Sequence, residues 1–227
     1  MLLPKPNHVE FENTPAGTFP ARCYRFIDLG TQQDDHMGQT KFVHKVRLSW
    51  ELPTELMQKG NNAGKPFSMT STYTWSMSEK SNLRKILESW RGRKFVDADF
   101  GENGFNTKKL IGVPCTIGIV HKEKQGGGTK DAISAITPAM KGFEVPPQVN
   151  ESLYFSFDEA TAMPEHERIT YLNNFLAKVS QGTREAIMRS PEYRKAIGGD
   201  KHEDNRTDSA MHEHASDDGF ISDDIPF

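Results

Sequence analysis

Alternation of apolar and polar residues predicts a series of β-strands in the first third of the chain. Residues 18–30 are predicted as a first strand, and residues 31–40 as a polar loop broken at Gly38. Lys41–Trp50 alternates most regularly, with the period of two that is typical of a strand with one buried face. Its core-like face consists of Phe42, His44, Val46, Leu48 and Trp50, and its other face of Lys41, Val43, Lys45, Arg47 and Ser49.

A third strand is predicted over Pro66–Met77, after a loop at residues 51–65. One face holds Phe67, Met69, Tyr73, Trp75 and Met77, and the other holds Ser68, Thr70, Thr72, Thr74 and Ser76. An aromatic face usually packs in a core, but aromatic rings near a strand end can also stack on nucleobases. Both interpretations stay open for Tyr73 and Trp75.

Helical spacing replaces alternation after residue 77. Ser78 suits an N-cap and Gly92 suits the residue that ends the helix. The apolar stripe between them, spaced as on one helix face, consists of Leu83, Ile86, Leu87 and Trp90. Two further strands, Val113–Lys122 and Lys130–Thr137, are joined by a hairpin that contains three consecutive glycines at residues 126–128.

The order strand-strand-strand-helix-strand-strand is that of the OB-fold, a five-stranded Greek-key barrel with a helix between strands 3 and 4. The predicted class is therefore mainly β. In such barrels strands 2 and 3 and the first and last hairpin loops typically hold oligonucleotides.

The chain beyond the barrel is predicted to be extended and then helical. Leu153–Phe157 is a short strand, Pro164 begins a helix with an apolar stripe, and a second helix, Arg184–Ile197, is broken near Pro191. These helices would cap the barrel, form a dimer or clamp a ligand. We divide the chain into a lead-in (1–16), an OB domain (17–142), an extended and helical appendage (143–197) and a disordered acidic tail (198–227). The stripe of the first helix consists of Ile169, Leu172, Leu176 and Val179.

Charge is distributed unevenly along the chain. Residues 198–227 contain nine acidic and two basic side chains, whereas residues 1–197 contain 22 acidic and 26 basic ones. A basic body with an acidic tail is common in nucleic-acid-binding proteins, although a solubilising tail gives the same pattern. The candidate phosphate contacts are Lys41, Lys45, Arg47, Arg91, Arg93, Lys94, Lys122, Lys124 and Lys130. The alternative for each is an ordinary solvated surface.

Other chemistry has little support in the sequence. His202, His212 and His214 lie in the tail, without a rigid frame to hold a metal, so we expect neither a metal nor another cofactor. Motifs of hydrolases, metalloproteases and nucleotide-binding loops are missing, so no enzyme is expected. A nuclease that uses Asp97, Asp99 and Glu102 is the alternative, although acidic residues are ordinary in turns.

Cellular location follows from cysteine usage and from the lack of a long apolar run. Cys23 and Cys115 fall in predicted strands and are expected to be buried free thiols in a reducing cytoplasm. No run approaches the length of a transmembrane helix, and the N-terminus lacks the apolar region of a signal peptide.

The last five residues, Asp223, Asp224, Ile225, Pro226 and Phe227, spell DDIPF. This sequence resembles the acidic C-terminal tip of bacterial single-stranded DNA-binding proteins (SSB), although Ser222 departs from that family's usual third aspartate. The resemblance implies a hook that recruits helicases, nucleases, primase and other replication or recombination proteins. An apolar pocket would receive Phe227, and a cationic rim would receive the two aspartates.

The body also resembles small phage-encoded ssDNA-binding proteins, over the stretch from Tyr73 to Arg93. The expected function is sequence-independent binding of single-stranded DNA in phage replication, recombination or repair, with a homo-oligomer left open. The alternative is a recruitment adaptor or decoy that uses the tip without binding DNA specifically.

Overall fold

A six-stranded β-sheet dominates the computed structural model, which describes residues 12–36, 38–101, 104–124 and 126–198. Its strands are β1 (Gly17–His36), β2 (Gln39–Leu56), β3 (Pro66–Thr74), β4 (Pro114–Glu123), β5 (Thr129–Pro138) and β6 (Leu153–Phe155). The α-helices of the described residues are α1 (Asn82–Arg91), α2 (Phe157–Thr161), α3 (Glu165–Ala177), α4 (Gln181–Arg189) and α5 (Pro191–Ala196). Within the described residues, no helix is long and apolar enough to cross a membrane.

Strand β1 organises the sheet. Neighbouring strands follow the order β3-β2-β1-β4-β5, all antiparallel, and β6 runs parallel to β1. The first residues of β1, Gly17–Arg22, pair with β4, and its remainder pairs with β2. The edge strands β3 and β5 approach each other, but among the described residues no backbone ladder joins them. The chain is therefore mainly β, as the alternation predicts, and its sheet is open.

The first hairpin is longer than predicted. Most of residues 31–40, predicted as a loop, continue the β1–β2 ladder as far as the pair formed by His36 and Gln39. Alternation could not predict this extension, because this part of the hairpin has no apolar face and its polar side chains bond to each other instead. Thr40 donates to Asp35 at 2.6 Å, for example. Gly38, with φ 78°, lies in the turn as predicted.

Three other boundaries predicted between residues 50 and 92 are wrong. Strand β2 continues to Leu56, so the loop predicted at 51–65 is shorter, and β3 ends at Thr74 rather than Met77. Helix α1 begins at Asn82 rather than beside Ser78, because the Ser78 carbonyl accepts a turn hydrogen bond from the Ser81 amide at 2.9 Å. The end of α1 is as predicted, with Gly92 in the left-handed conformation at φ 69°.

The two faces of β1 contact different hydrophobic clusters. Phe26 lies in a first cluster with side chains from β2, β3, β4 and α1. Ile27 and Leu29 lie in a second cluster with side chains from β6 and from helices α2 to α5. The predicted helical appendage therefore packs on the sheet. Its predicted break near Pro191 is confirmed, since α4 ends at Arg189 and α5 begins at Pro191.

Candidate nucleic-acid interface

The predicted cationic face of β2 is only partly exposed. Lys41 is exposed, whereas the Lys45 ammonium lies 3.0 Å from the Asp34 carboxylate. Arg47 donates to Thr72 Oγ1 at 3.1 Å and to Thr183 Oγ1 of α4 at 2.7 Å, and burial lowers the pKa of its guanidinium. The appendage therefore covers Arg47, and of these three cations Lys41 is the one most accessible to a phosphate.

The cations that follow α1 also differ from one another. Arg91 is held by Asp99 at 2.7 Å, and its guanidinium lies 4.2 Å from the centre of the Phe95 ring. Arg93, whose side chain is 61% exposed, makes a longer contact of 3.3 Å to the same carboxylate. Lys94 is exposed. Arg91 thus stabilises the loop, while Arg93 and Lys94 remain available at the surface.

Asp99 accepts hydrogen bonds that hold the loop after α1. Its carboxylate also accepts the Val96 amide at 3.0 Å, and the hydrogen bond from Arg91 lowers its pKa below the usual value. The described residues contain no group of three or more histidine, cysteine, aspartate or glutamate side chains that could hold a metal ion. Glu102, the third residue of the nuclease alternative, lies outside the described residues.

The glycine hairpin carries three of the predicted cations, and all three are exposed. The β4–β5 register puts Lys122 directly opposite Lys130, and both are exposed, as is Lys124. The Lys124 amide donates to the Gly128 carbonyl at 2.9 Å, which closes the turn. The hairpin therefore presents three lysines at the surface of the protein.

The two candidate stacking residues on β3 have different environments. Tyr73 is half-buried and packs against the first cluster, and burial raises its pKa to about 12. Trp75 is 43% exposed. Its amide donates to the His44 carbonyl at 2.7 Å, and its ring meets Phe26 edge-on with centroids 6.1 Å apart. Trp75 is therefore fixed in position and still accessible.

Phe42 lies in a different environment from the one that alternation predicts. It was predicted in the core with Val46 and Leu48, but its side chain is 71% exposed. Phe42 does lie on the same face of β2 as Val46 and Leu48, as the alternation predicts. However, β2 extends beyond the hydrophobic core, so this face is exposed to solvent where Phe42 lies. Lys45 and Thr74 form the last pair of the β2–β3 ladder at this end, and the bond from the Trp75 amide to the His44 carbonyl follows it. Phe42 lies two residues before His44 on β2. No local signal marks this change, because Val46, which is 1% exposed, also follows a lysine directly.

His44 connects this open end to the appendage. Its Nε2 lies 2.6 Å from Asp28 Oδ1 on β1, and its Nδ1 lies 3.6 Å from Glu192 Oε1 on α5. The hydrogen bond with Asp28 raises the pKa of His44 above its ordinary value, although burial acts in the opposite direction. The predicted core residue His44 is thus a link between two strands and a helix.

No protein-family model matches the chain, and a search of curated proteins gives no match either. The tip residues Asp223–Phe227 lie outside the described residues, as do the three tail histidines.

Proposed function

We propose that this protein binds single-stranded DNA through an OB-like barrel and recruits other proteins through its C-terminal tip. The strand order and the helix between β3 and β4 support the barrel. Helix α1 packs on β3 and β5, and Ser89 of α1 donates to the Ile136 carbonyl of β5 at 2.7 Å. Both edges of the open sheet thus meet the same helix, as the ends of a nearly closed barrel would.

The N-terminal residues supply a second link across the gap between β3 and β5. The Glu12 carboxylate accepts the amides of Gln58 and Lys59 in the loop before β3, at 2.7 and 3.0 Å. The Thr14 amide donates to Asp131 Oδ2 on β5 at 2.7 Å. Residues 12–14 therefore bridge the two edges where backbone pairing between them is missing.

The observation that carries the proposal is the pair of exposed rings at the open end of β2 and β3. Phe42 and Trp75 are 71% and 43% exposed, and both lie just beyond the last pair of the β2–β3 ladder, Lys45 and Thr74. Exposed neighbouring aromatic rings on a sheet are costly in water unless a ligand covers them. Stacking of a base on an aromatic ring is worth about 1–3 kcal/mol and tolerates any base, which suits sequence-independent binding.

Exposed cations supply the phosphate contacts in this proposal. They are Lys41 beside Phe42, Arg93 and Lys94 after α1, and Lys122, Lys124 and Lys130 on the glycine hairpin. Each neutralised phosphate of a single strand steepens the logarithmic salt dependence of binding by about 0.7. The acidic tail competes for the same cations, so a chain that ends at residue 197 is expected to bind DNA more tightly at low salt.

In this proposal, the C-terminal tip binds other proteins of DNA metabolism. Phe227 and the two preceding residues form an apolar hook, and Asp223 and Asp224 add the charge that a basic pocket rim would recognise. The partners are replication, recombination or repair proteins, in the cytoplasm of a host if a phage encodes the chain.

Fluorescence anisotropy of a labelled oligonucleotide tests the proposal. The full chain is titrated into oligo(dT), a duplex of equal length and an RNA of equal length, each at two salt concentrations. The proposal expects a marked preference for the unpaired strand over the duplex, with weaker binding at the higher salt concentration. Equal affinity for single strand and duplex would contradict it.

A recruitment adaptor without specific DNA binding is the second candidate. The observation in its favour is that Lys45, Arg47 and Arg91 are engaged by partners within the chain, so three of the expected phosphate contacts are occupied. Competition with heparin separates the two functions. An adaptor would bind heparin and oligo(dT) equally, whereas an ssDNA-binding protein keeps its preference for DNA.

A further inference from the structure

The environment of His44 is built around two carboxylates from different elements. Asp28, which is 7% exposed, lies on one side of the imidazole at 2.6 Å. Glu192 of α5 lies on the other side at 3.6 Å. Asp158 of α2 adds a third negative charge nearby. The cationic side chain next to His44 in the chain, Lys45, is engaged by Asp34.

Both carboxylates have further partners that fix their positions. Asp28 accepts the amides of Gly30 at 2.9 Å and of Phe157 at 3.2 Å. Glu192 accepts the Thr31 amide at 2.8 Å and the Thr31 hydroxyl at 2.6 Å. These hydrogen bonds hold both carboxylates in place. The charge on the imidazole therefore decides whether His44 is attracted to both of them.

A neutral imidazole satisfies only one of the two carboxylates. It carries one N–H donor and one lone pair, so a ring that donates to Asp28 through Nε2 presents the Nδ1 lone pair to Glu192. A protonated ring has a donor on each nitrogen and is attracted by both carboxylates. Protonation therefore adds an attraction between β2 and α5 that the neutral ring cannot provide.

We propose that protonated His44 is a pH-dependent clasp that fastens helix α5 to the β1–β2 hairpin. The imidazolium bridges Asp28 and Glu192, and α5 loosens when the ring loses its proton. The helix is loosened rather than released, since Tyr193 and Ala196 remain in the second hydrophobic cluster. The β1–β2 hairpin that the clasp stabilises also contains Lys41 and Phe42. The clasp itself does not depend on whether this chain binds DNA.

The direction of the pH dependence follows from the arrangement. A histidine whose pKa rises on folding stabilises the folded contact fully at pH values below its unfolded pKa. That stabilisation is lost as the pH rises through the folded pKa, which the hydrogen bond with Asp28 raises and the charge of Glu192 raises further. Because Glu192 belongs to α5, docking of α5 is tightest below the ordinary histidine pKa of 6.5 and weakens as the pH rises through the raised pKa of His44.

Amide hydrogen exchange at Thr31 reports on the clasp, because this amide donates to Glu192. NMR gives its protection factor, corrected for the intrinsic base-catalysed rate, between pH 5 and 9, together with the titration of the His44 ring. In the wild-type chain protection is expected to fall as His44 deprotonates, by about tenfold for each unit by which docking raises its pKa. In H44Q, which has no imidazole at this position, Thr31 protection is expected to be lower and not to change over the pH range in which His44 titrates in the wild type.

Two further variants make the test decisive. E192Q keeps an amide oxygen that can accept from Thr31 but removes the charge, so the pKa of His44 is expected to fall while the chain stays folded. H166Q is the matched control, because the His166 side chain is 82% exposed and its ion-pair contact is with Glu167 of its own helix α3, and it is expected to leave Thr31 protection unchanged. An unchanged His44 pKa in E192Q, or the same pH dependence of Thr31 protection in H44Q and wild type, would overturn the clasp.

Discussion

Glu51 lies directly opposite Arg22 in the β1–β2 ladder, and the two side chains hold the same extended segment. Arg22 donates to the carbonyls of Val145 and Pro146 at 2.6 and 2.7 Å. Glu51, which is fully buried, accepts the amide of Val149 at 2.7 Å. This pair anchors the segment at residues 139–152, which connects β5 to β6.

Glu51 has further donors that make its removal costly. Its carboxylate also accepts the backbone and side-chain amides of Asn150, at 2.8 and 2.6 Å. We expect E51A to lower the free energy of unfolding by about 1–3 kcal/mol, because buried donors lose their acceptor. Urea denaturation measures the change. E55A, on the same strand but outside this contact, is the control, and an equal loss of stability in both variants would contradict the anchoring role.

Gly30 tests the close approach of α5 to β1. It has φ 67°, and a Cβ there would lie 2.6 Å from Glu192 Oε2 and 2.7 Å from Ser190 Oγ. Gly38 has φ 78° with nothing within 4 Å of such a Cβ. Both G30A and G38A are expected to show the backbone strain of about 1–2 kcal/mol, but G30A should lose about 1–3 kcal/mol more through overpacking. Similar melting temperatures for the two variants would show that α5 does not pack this closely.

The two cysteines are expected to be inert in the folded protein. Both are free and buried, as the sequence predicts. Burial raises the pKa of Cys115 to about 12 and that of Cys23 further, so the reactive thiolate is scarce at neutral pH. Iodoacetamide followed by mass spectrometry should label neither residue in native buffer and both in urea. Rapid labelling of either one without denaturant would mean that the first hydrophobic cluster opens locally.

Phe42 is expected to contribute to DNA binding although the sequence pattern assigned it to the core. F42L keeps an apolar side chain but removes the ring, so the dissociation constant for oligo(dT) should rise by about 5- to 150-fold, the equivalent of 1–3 kcal/mol. F143L removes another exposed ring, 46% exposed in the segment at residues 139–152, and should bind as the wild type does. Equal binding by all three proteins would remove Phe42 from the interface.

The parts of the fold that were predictable are those that bury one face. Val46, Leu48 and Trp50 alternate with polar residues and are almost completely buried, and the helical stripe of α1 is buried at Leu83, Leu87 and Trp90. The extension of the hairpin from Thr31 to Thr40 was not predicted. Its strands pair through the backbone, and their residues show no apolar periodicity from which a strand could be predicted.

The candidate site was less predictable because exposure depends on contacts that are distant in sequence. Arg47 is covered by Thr183, 136 residues away, and no local pattern encodes that contact. Phe42 and Val46 share a strand face, yet only Val46 is buried, because the core ends between them. Which cations and rings face solvent was therefore set by the packing of the appendage and by the length of β2.

Intrinsic tryptophan fluorescence during an oligo(dT) titration tests the central claim most directly. The chain has three tryptophans; Trp50 and Trp90 are 0% and 4% exposed, whereas Trp75 is 43% exposed. If unpaired bases stack on the open end of β2 and β3, oligo(dT) should quench the tryptophan fluorescence of the full-length wild type in a saturable way. W75F should lose this quenching, and duplex DNA should quench the wild type only slightly. A wild-type signal that does not change with oligo(dT), or quenching that persists in W75F, would contradict the proposed interface.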